Sequence, residues 1–478
     1  MHTIKNLNIN SDKALIKDAK KEIKDVKFEN ITINNETNTN YIGIIKNNSA
    51  NLNNLAFKDI NINAKKSSYV GCIGKSEAIK VDNITLNNII CNGISTVGGF
   101  CGFANEEEYK NIKADNIEIH ATEHYIGGIF GNLQCKSIYD ICKTENISIK
   151  NSKIIGTNSS RVGGIYGIGR IGNNIESIGN TIIGREYIGG ITGDGNAYYN
   201  QEGSKIVRKC NIEGRDGYYI GGVAGYQNTL YNAEVEETTI KGNATYMGGI
   251  AGYIQNEACR NSFVNSKVTG LGTNVGGISG RSFNLKSENY VLNSIVEGKN
   301  NVGGIVGIQE GSEIMYNYVS ANIKAINHRA GGIAGYLNNM NTNTSNNIQK
   351  IISNYVASTT VQSTSKVGGL IGGIDTELVD GTYYSSNFIE ANIISENPNT
   401  ISLGIGNMPK ENTKLKNTYY YKYSKINNQY PTGQNEIFIP KESYLTENDL
   451  KTKNTYIEKL KWKESEWNFN TLAEGKYP

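Results

Sequence analysis

The pentapeptide His120-Ala121-Thr122-Glu123-His124 spells HxxEH. In that spacing two imidazoles can hold zinc while the carboxylate between them serves as general base. The chemistry requires a helix, because only there do residues four apart share a face. The surrounding stretch argues otherwise. Ile119 to Tyr125 falls on Ile240 to Tyr246 when the chain is laid on itself, and both read as a short strand followed by a turn. We therefore expect no metal ligands at His120, Glu123 and His124, and no cofactor. Asp194 between two glycines, Arg170 and the pair Arg215-Asp216 have side chains suited to acid–base work. They do not recur at one offset in successive repeats, and two carboxylates at matched positions are the minimum for general acid and base catalysis. The seven cysteines, Cys72, Cys91, Cys101, Cys135, Cys142, Cys210 and Cys259, are odd in number and form no CxxC pair. Most stand where a small apolar residue belongs, so they are expected to be buried thiols.

Tyrosine is the reactive-looking residue that does recur. It stands immediately before an apolar-Gly-Gly phrase at Tyr41, Tyr69, Tyr125, Tyr187, Tyr219 and Tyr246, and immediately after it at Tyr226, Tyr253 and Tyr336. Stacked at a coil corner, these rings would pack on one another. They would equally offer an aromatic strip for sugar or protein, with Tyr125, Tyr187, Tyr219, Tyr246, Tyr226, Tyr253 and Tyr336 as the candidate binding residues.

The elements that would position them follow from the phrase itself, clearest as Val302 to Gly307 (VGGIVG). Thirteen copies open at Ile42, Val70, Val97, Ile126, Val162, Ile188, Ile220, Met247, Val275, Val302, Ala330, Val367 and Leu403. Most steps are near 27–28 residues, and a fixed period of that size marks a solenoid. The third position is Gly except at Ile44, Cys72 and Ile405. Glycine there accepts positive φ or lets backbones approach where no Cβ fits. Between phrases lie short runs rich in β-branched residues, such as Ser294 to Gly298, ended by Gly or Asn. No helical period of 3.6 runs through residues 26–400. The reading is an all-β chain, a parallel β-solenoid of about thirteen coils, whose stacked neighbours bury one continuous core.

Composition agrees. Glycine numbers 54 and proline only 5, as suits tight coils whose amides all need ladder partners. Asparagine is about 14% of the chain and tolerates left-handed turns. The net charge of +3, from 48 basic and 45 acidic residues, offers no basic stripe for nucleic acid. There is no run of some 18 apolar residues for a membrane span and no apolar leader at the N-terminus.

The repeat resembles the GLUG motif of bacterial surface proteins. The stretch Met315 to Gly335 and the opening Ile4 to Asn10 are also similar to the N-terminal repeat region of the immunoglobulin A protease family of zinc metallopeptidases. The resemblance spans about residues 4–408. That family's HExxH is not present in this chain. What the resemblance implies is a secreted or cell-surface, non-catalytic region, a monomer or part of a larger exported chain, binding or presenting a host glycoprotein or glycan. A glycan-cleaving β-helix, a zinc peptidase fragment and a structural spacer or adhesin stalk are the alternatives.

The ends read differently from the middle. Residues 1–25 are expected to cap the first coil, with one or two helical turns in 11–25. Residues 26–408 are the solenoid. Residues 409–478 carry an aromatic run, Asn417 to Tyr423, a helix-capping start at Thr446, and the two tryptophans Trp462 and Trp467. They are expected to seal the last coil as a cap or linker with a short helix.

Overall fold

The computed structural model describes all residues except 106–107, 135–142, 196–202, 284–286, 312, 339–349, 375–383, 408–414, 431–442 and 475–477. The chain is 61% strand and 5% helix, a parallel β-solenoid of about 14 turns about 28 residues apart. It divides into two compact units, residues 1–245 with 250–253 and residues 246–249 with 254–478.

In the first unit, three parallel ladders run coil by coil. The longest is built from His2–Ile9, Ile23–Asn34, Leu52–Asn63, Lys80–Gly93 and Glu108–Ala121, after which each coil supplies two shorter strands in their place. Identical apolar residues meet in it. Ile31 pairs with Ile60, Ile60 with Ile89 and Ile89 with Ile117, while Phe28 stacks on Phe57 at 5.1 Å. All of these are buried. Alternation along each strand puts one side in this core and the other in solvent.

The phrase turns the chain between the two shorter ladders. Its glycines serve close approach: a Cβ on Gly163 would overlap the Tyr166 carbonyl oxygen, and one on Gly164 that of Gly190 in the next coil. They do not hold positive φ. The left-handed residue of this corner is the one before the phrase, with φ of 62° at Tyr41, 59° at Tyr69, 60° at Tyr125, 59° at Arg161 and 53° at Tyr187.

Several expectations need correction. Residues 11–25 hold no helical turn: Ile16–Ala19 is a strand whose Ile16 pairs with Ile45, and His2–Ile9 pairs with the next long strand. The N-terminal segment is thus a coil of the stack that lacks the phrase. Ile44 and Cys72 are not substitutions for Gly. Val70 pairs with Val97 but Ile73 with Cys101, so the phrase there is one residue shorter. The last copy opens two residues earlier than its spelling suggests, since Val367 pairs with Ile401 and Gly368 with Ser402.

In the second unit the phrase ladder runs Tyr246–Gly248, Asn274–Gly276, Asn301–Gly303, Ala330–Gly331, Val367–Gly368 and Ile401–Ser402. Immediately before the strands Ser262–Val264, Tyr290–Gly298, Tyr318–Ala325, Tyr355–Ser363 and Phe388–Ser395, five buried asparagines, Asn261, Asn289, Asn317, Asn354 and Asn387, stand one per coil. Each of the first four donates its carboxamide to the Oδ1 of the next, over 2.9–3.1 Å. Each also directs its backbone N–H to that same oxygen, over 3.0–3.2 Å.

The C-terminal segment first adds to the last coil: Tyr419–Tyr421 and Lys425–Ile426 pair with Phe388–Ser395, and Tyr444–Leu445 pairs with Tyr419–Tyr421. Beyond them it folds along the side of the final coils. Trp462 and Trp467 stack at 4.1 Å and lie against Tyr355, which pairs in turn with Phe388. The Trp462 indole donates to the Ser386 carbonyl, 2.6 Å away. A four-residue helix, Glu447–Leu450, begins at Thr446 with a reciprocal capping box to Asp449 and buries Leu450 in this cluster.

Candidate functional site

The phrase corner of the first unit gathers six of the described aromatic and cationic side chains. Tyr125, Arg161, Tyr187 and Tyr219 each precede a paired phrase opening, Ile126, Val162, Ile188 and Ile220. Backbone pairing one residue later therefore sets their spacing, near the 4.8 Å of neighbouring strands. Tyr226 and Tyr253 join from the residue after the phrase.

Arg161 is the member that tyrosine counting missed. Its guanidinium lies 5.7 Å from the Tyr125 ring centre and 4.8 Å from that of Tyr187, a cation between two aromatic faces. Its Nε donates to Asp194 Oδ2 at 2.9 Å. Burial works against the Arg161 charge, but the Asp194 carboxylate outweighs it and holds the guanidinium pKa above its ordinary value. Burial likewise pushes the Tyr187 phenol up, against the pull of Arg161. The signal was available: Arg161 occupies the tyrosine position of its copy, and the repeat frame alone identifies it.

Beyond Arg161 the strip is aromatic throughout. Tyr187 meets Tyr219 edge-on at 5.0 Å, Tyr219 stacks on Tyr253 at 5.6 Å, and Tyr226 meets Tyr253 at 5.5 Å. Tyr218 flanks Tyr219 at 6.0 Å and is more than half exposed. The strip residues themselves are partly buried, with one edge against the coil and one toward solvent. Rings of this kind suit ligands with an apolar face and a polar rim.

The second unit repeats the pairing of cation and ring. Arg281 lies 5.4 Å from the Tyr246 ring centre and is tied to Glu310 at 2.6 Å. Arg329 lies 4.2 Å from that of Tyr336. Of the candidates named from sequence, Tyr125, Tyr187, Tyr219, Tyr226 and Tyr253 thus come together in the first unit, and in the second Tyr246 and Tyr336 each face an arginine.

The HxxEH segment ends the strand Glu108–Ala121 and continues as a bend. His120 Nε2 hydrogen-bonds Glu118 at 2.7 Å, and His124 Nδ1 hydrogen-bonds Ser160 at 2.5 Å. The two rings serve different partners. Among the described cysteines, Cys72, Cys91, Cys101 and Cys210 are buried and Cys259 is partly so; Cys135 and Cys142 lie outside the described residues. Cys91 fills one place in a ladder of isoleucines, between Ile62 and Ile119, and burial pushes its thiol up to about 12.

Compared with protein-family models, curated proteins and solved structures, the chain matches none.

Proposed function

We propose that this chain is a non-catalytic recognition or scaffold region of an exported bacterial surface protein. It binds or presents a host glycoprotein or glycan beside a separate peptidase domain. The observation that carries the reading is the tyrosine–arginine strip from Tyr125 to Tyr253 in the first unit. Its rings are held by backbone pairing and Arg161 by Asp194, so little side-chain freedom is lost when a ligand is gripped. The resemblance to GLUG repeats of surface proteins supports the same reading.

The test is a joint binding and cleavage assay. The purified chain is immobilised, mucosal glycoproteins including immunoglobulin A are passed over it, and eluates are run on a gel with and without a zinc chelator. Intact retained glycoprotein, lost on Tyr187→Ala with Tyr219→Ala, is the expected result. Chelator-sensitive fragments would overturn it and return attention to His120, Glu123 and His124. Neither retention nor cleavage would leave the spacer reading.

A further inference from the structure

In the second unit, one coil is shorter at one corner than the coils on either side. Strand Tyr355–Ser363 pairs with Phe388–Ser395 through Val356 opposite Ile389 and then Thr359 opposite Ala391, so the earlier coil carries one extra residue. Ser358 lies in that bulge with φ 46°. On the other side Phe388 faces Tyr419, yet Asn392 faces Lys425, so the later coil carries two extra residues. A recessed coil between two protruding ones leaves a notch, and bulges of this sort re-aim side chains at sites.

The notch has a volume of about 210 Å³, and Ser358, Thr360, Glu390, Asn392, Tyr423 and Lys425 are among its lining residues. Glu390 rises from the recessed coil. Ser358 Oγ donates to its Oε1 over 3.4 Å, while Oε2 is buried with no hydrogen-bond partner. The Asn392 carboxamide nitrogen donates to Asn428 Oδ1 at 2.8 Å, and its own Oδ1 is also buried without a partner. Both nearby ammonium groups are already engaged: Lys425 Nζ lies over the Tyr430 ring at 5.2 Å and Lys422 Nζ over one face of the Tyr423 ring at 5.9 Å. Two residues that line the notch therefore carry unmet acceptors, both buried from water while the site is empty. Buried polar groups left unpaired are costly, so a ligand that donates to them gains what the empty site lacks.

Two features choose among donors. A hard cation takes six to eight oxygens, and the notch offers one carboxylate. The rim, by contrast, is aromatic. Tyr423 is half exposed and meets Tyr421 at 5.4 Å and Tyr430 at 5.8 Å. An acceptor-lined floor beside an aromatic rim fits a ligand with hydroxyls on its edge and C–H groups on its face. We propose that the notch at Glu390 is a subsite for one hydroxyl-rich sugar ring, with the Glu390 and Asn392 side chains turning to accept from its hydroxyls and Tyr423 packing on its face. The volume lies below the roughly 300–1,000 Å³ of sites for drug-sized ligands, which limits it to a single ring. The chain holds its own comparison. Strand Tyr318–Ala325 is one residue short at the same corner, and Ser320 there occupies the place of Glu390.

This inference does not rest on the tyrosine strip, and its test separates the two. Saturation-transfer NMR on the full chain is run with the methyl glycosides of glucose, galactose, mannose and N-acetylglucosamine. Calcium chloride and methylammonium chloride serve as competing probes. At least one glycoside should bind in the millimolar range. Tyr423→Ala should weaken it tenfold or more, Glu390→Gln at least fivefold, and Tyr219→Ala in the first unit should leave it unchanged. Tyr423 is exposed enough to be changed without loss of the fold, which circular dichroism checks. The proposal is overturned if no glycoside binds, if binding survives both notch variants, if only Tyr219→Ala abolishes it, or if calcium or methylammonium displaces the sugar.

Discussion

Replacing Asn354 by alanine should be among the most damaging single changes in the second unit. Its Oδ1 accepts from both the backbone N–H and the carboxamide of Asn317, at 3.2 and 2.9 Å. Its own carboxamide donates to the Ile314 and Ile352 carbonyls and to Asn387 Oδ1, at 3.0, 3.2 and 3.1 Å. The side chain is fully buried, so water cannot replace these bonds. Each hydrogen bond contributes about 0.5–1.5 kcal/mol net, and a buried donor left alone costs about 1–3 kcal/mol. The Asn317 backbone N–H would lose its acceptor, the Asn354 Oδ1. The expected loss is about 3–5 kcal/mol, well above the typical effect of a point mutation. Asn317→Ala interrupts the same chain of amides, so the double variant should cost about 1–2 kcal/mol less than the sum of the singles. The assay is urea unfolding followed by tryptophan fluorescence. Both tryptophans pack against Tyr355, the neighbour of Asn354, so the signal reports this unit. A loss below about 1 kcal/mol, or strict additivity, would refute the claim that the asparagines act as one network.

Four further outcomes are expected. Gly303→Ala should lower the thermal midpoint by several degrees, because its Cβ would meet the backbone oxygen of Val306. Gly179→Asn should be neutral or stabilising, since Gly179 has φ +67°, which asparagine tolerates, and its Cβ would meet the far end of the Asn151 side chain at 3.3 Å rather than backbone; differential scanning calorimetry compares the two. Iodoacetamide labelling mapped by mass spectrometry should modify Cys259 before Cys72 or Cys91, whose thiols burial keeps protonated at pH 8. Burial raises the Glu390 pKa above its ordinary value, so its ionisation opposes folding as pH rises through that raised value. Glu390→Gln should therefore gain thermal stability over the wild type on going from pH 4 to pH 7, and a constant difference across that range would count against the burial of this carboxyl.

The period of the Gly phrase was enough to read the coils, because stacking forces the same small residues to recur wherever backbones touch. The phrase frame failed where insertions of one residue hide inside it. Nothing in the spelling of Val70 to Gly74 says that a residue is missing, and only its ladder partners Val97 and Cys101 reveal it. The same blindness hid the notch, which exists because Ser358 and the Lys422–Tyr423 turn protrude beside a coil that lacks their equivalents. The tyrosine strip was legible as a repeat of one letter. Arg161 was legible only through its place in the repeat frame, because it enters by position and charge rather than by letter. Asparagine abundance pointed to turns, and many asparagines do occupy left-handed corners, such as Asn83 and Asn111. The buried asparagines were invisible to that argument, since their role depends on an identical residue one coil away. The tryptophans pack together against Tyr355, but which coils they lie against is decided by tertiary contacts that no local pattern encodes.

The pinch of glycine against the next coil has a consequence for anything that lies along the tyrosine strip. Because no Cβ fits there, the advance from one coil to the next is held at the strand spacing of about 4.8 Å. Tyr125, Arg161, Tyr187 and Tyr219 are therefore graduations on a ruler. A polymer whose own subunits advance in step with that ruler can meet successive marks with the same geometry, and each further contact is made at high effective concentration. One whose subunits advance by a different length slips out of phase after a few marks. Selectivity along such an edge then comes from pitch as much as from chemistry.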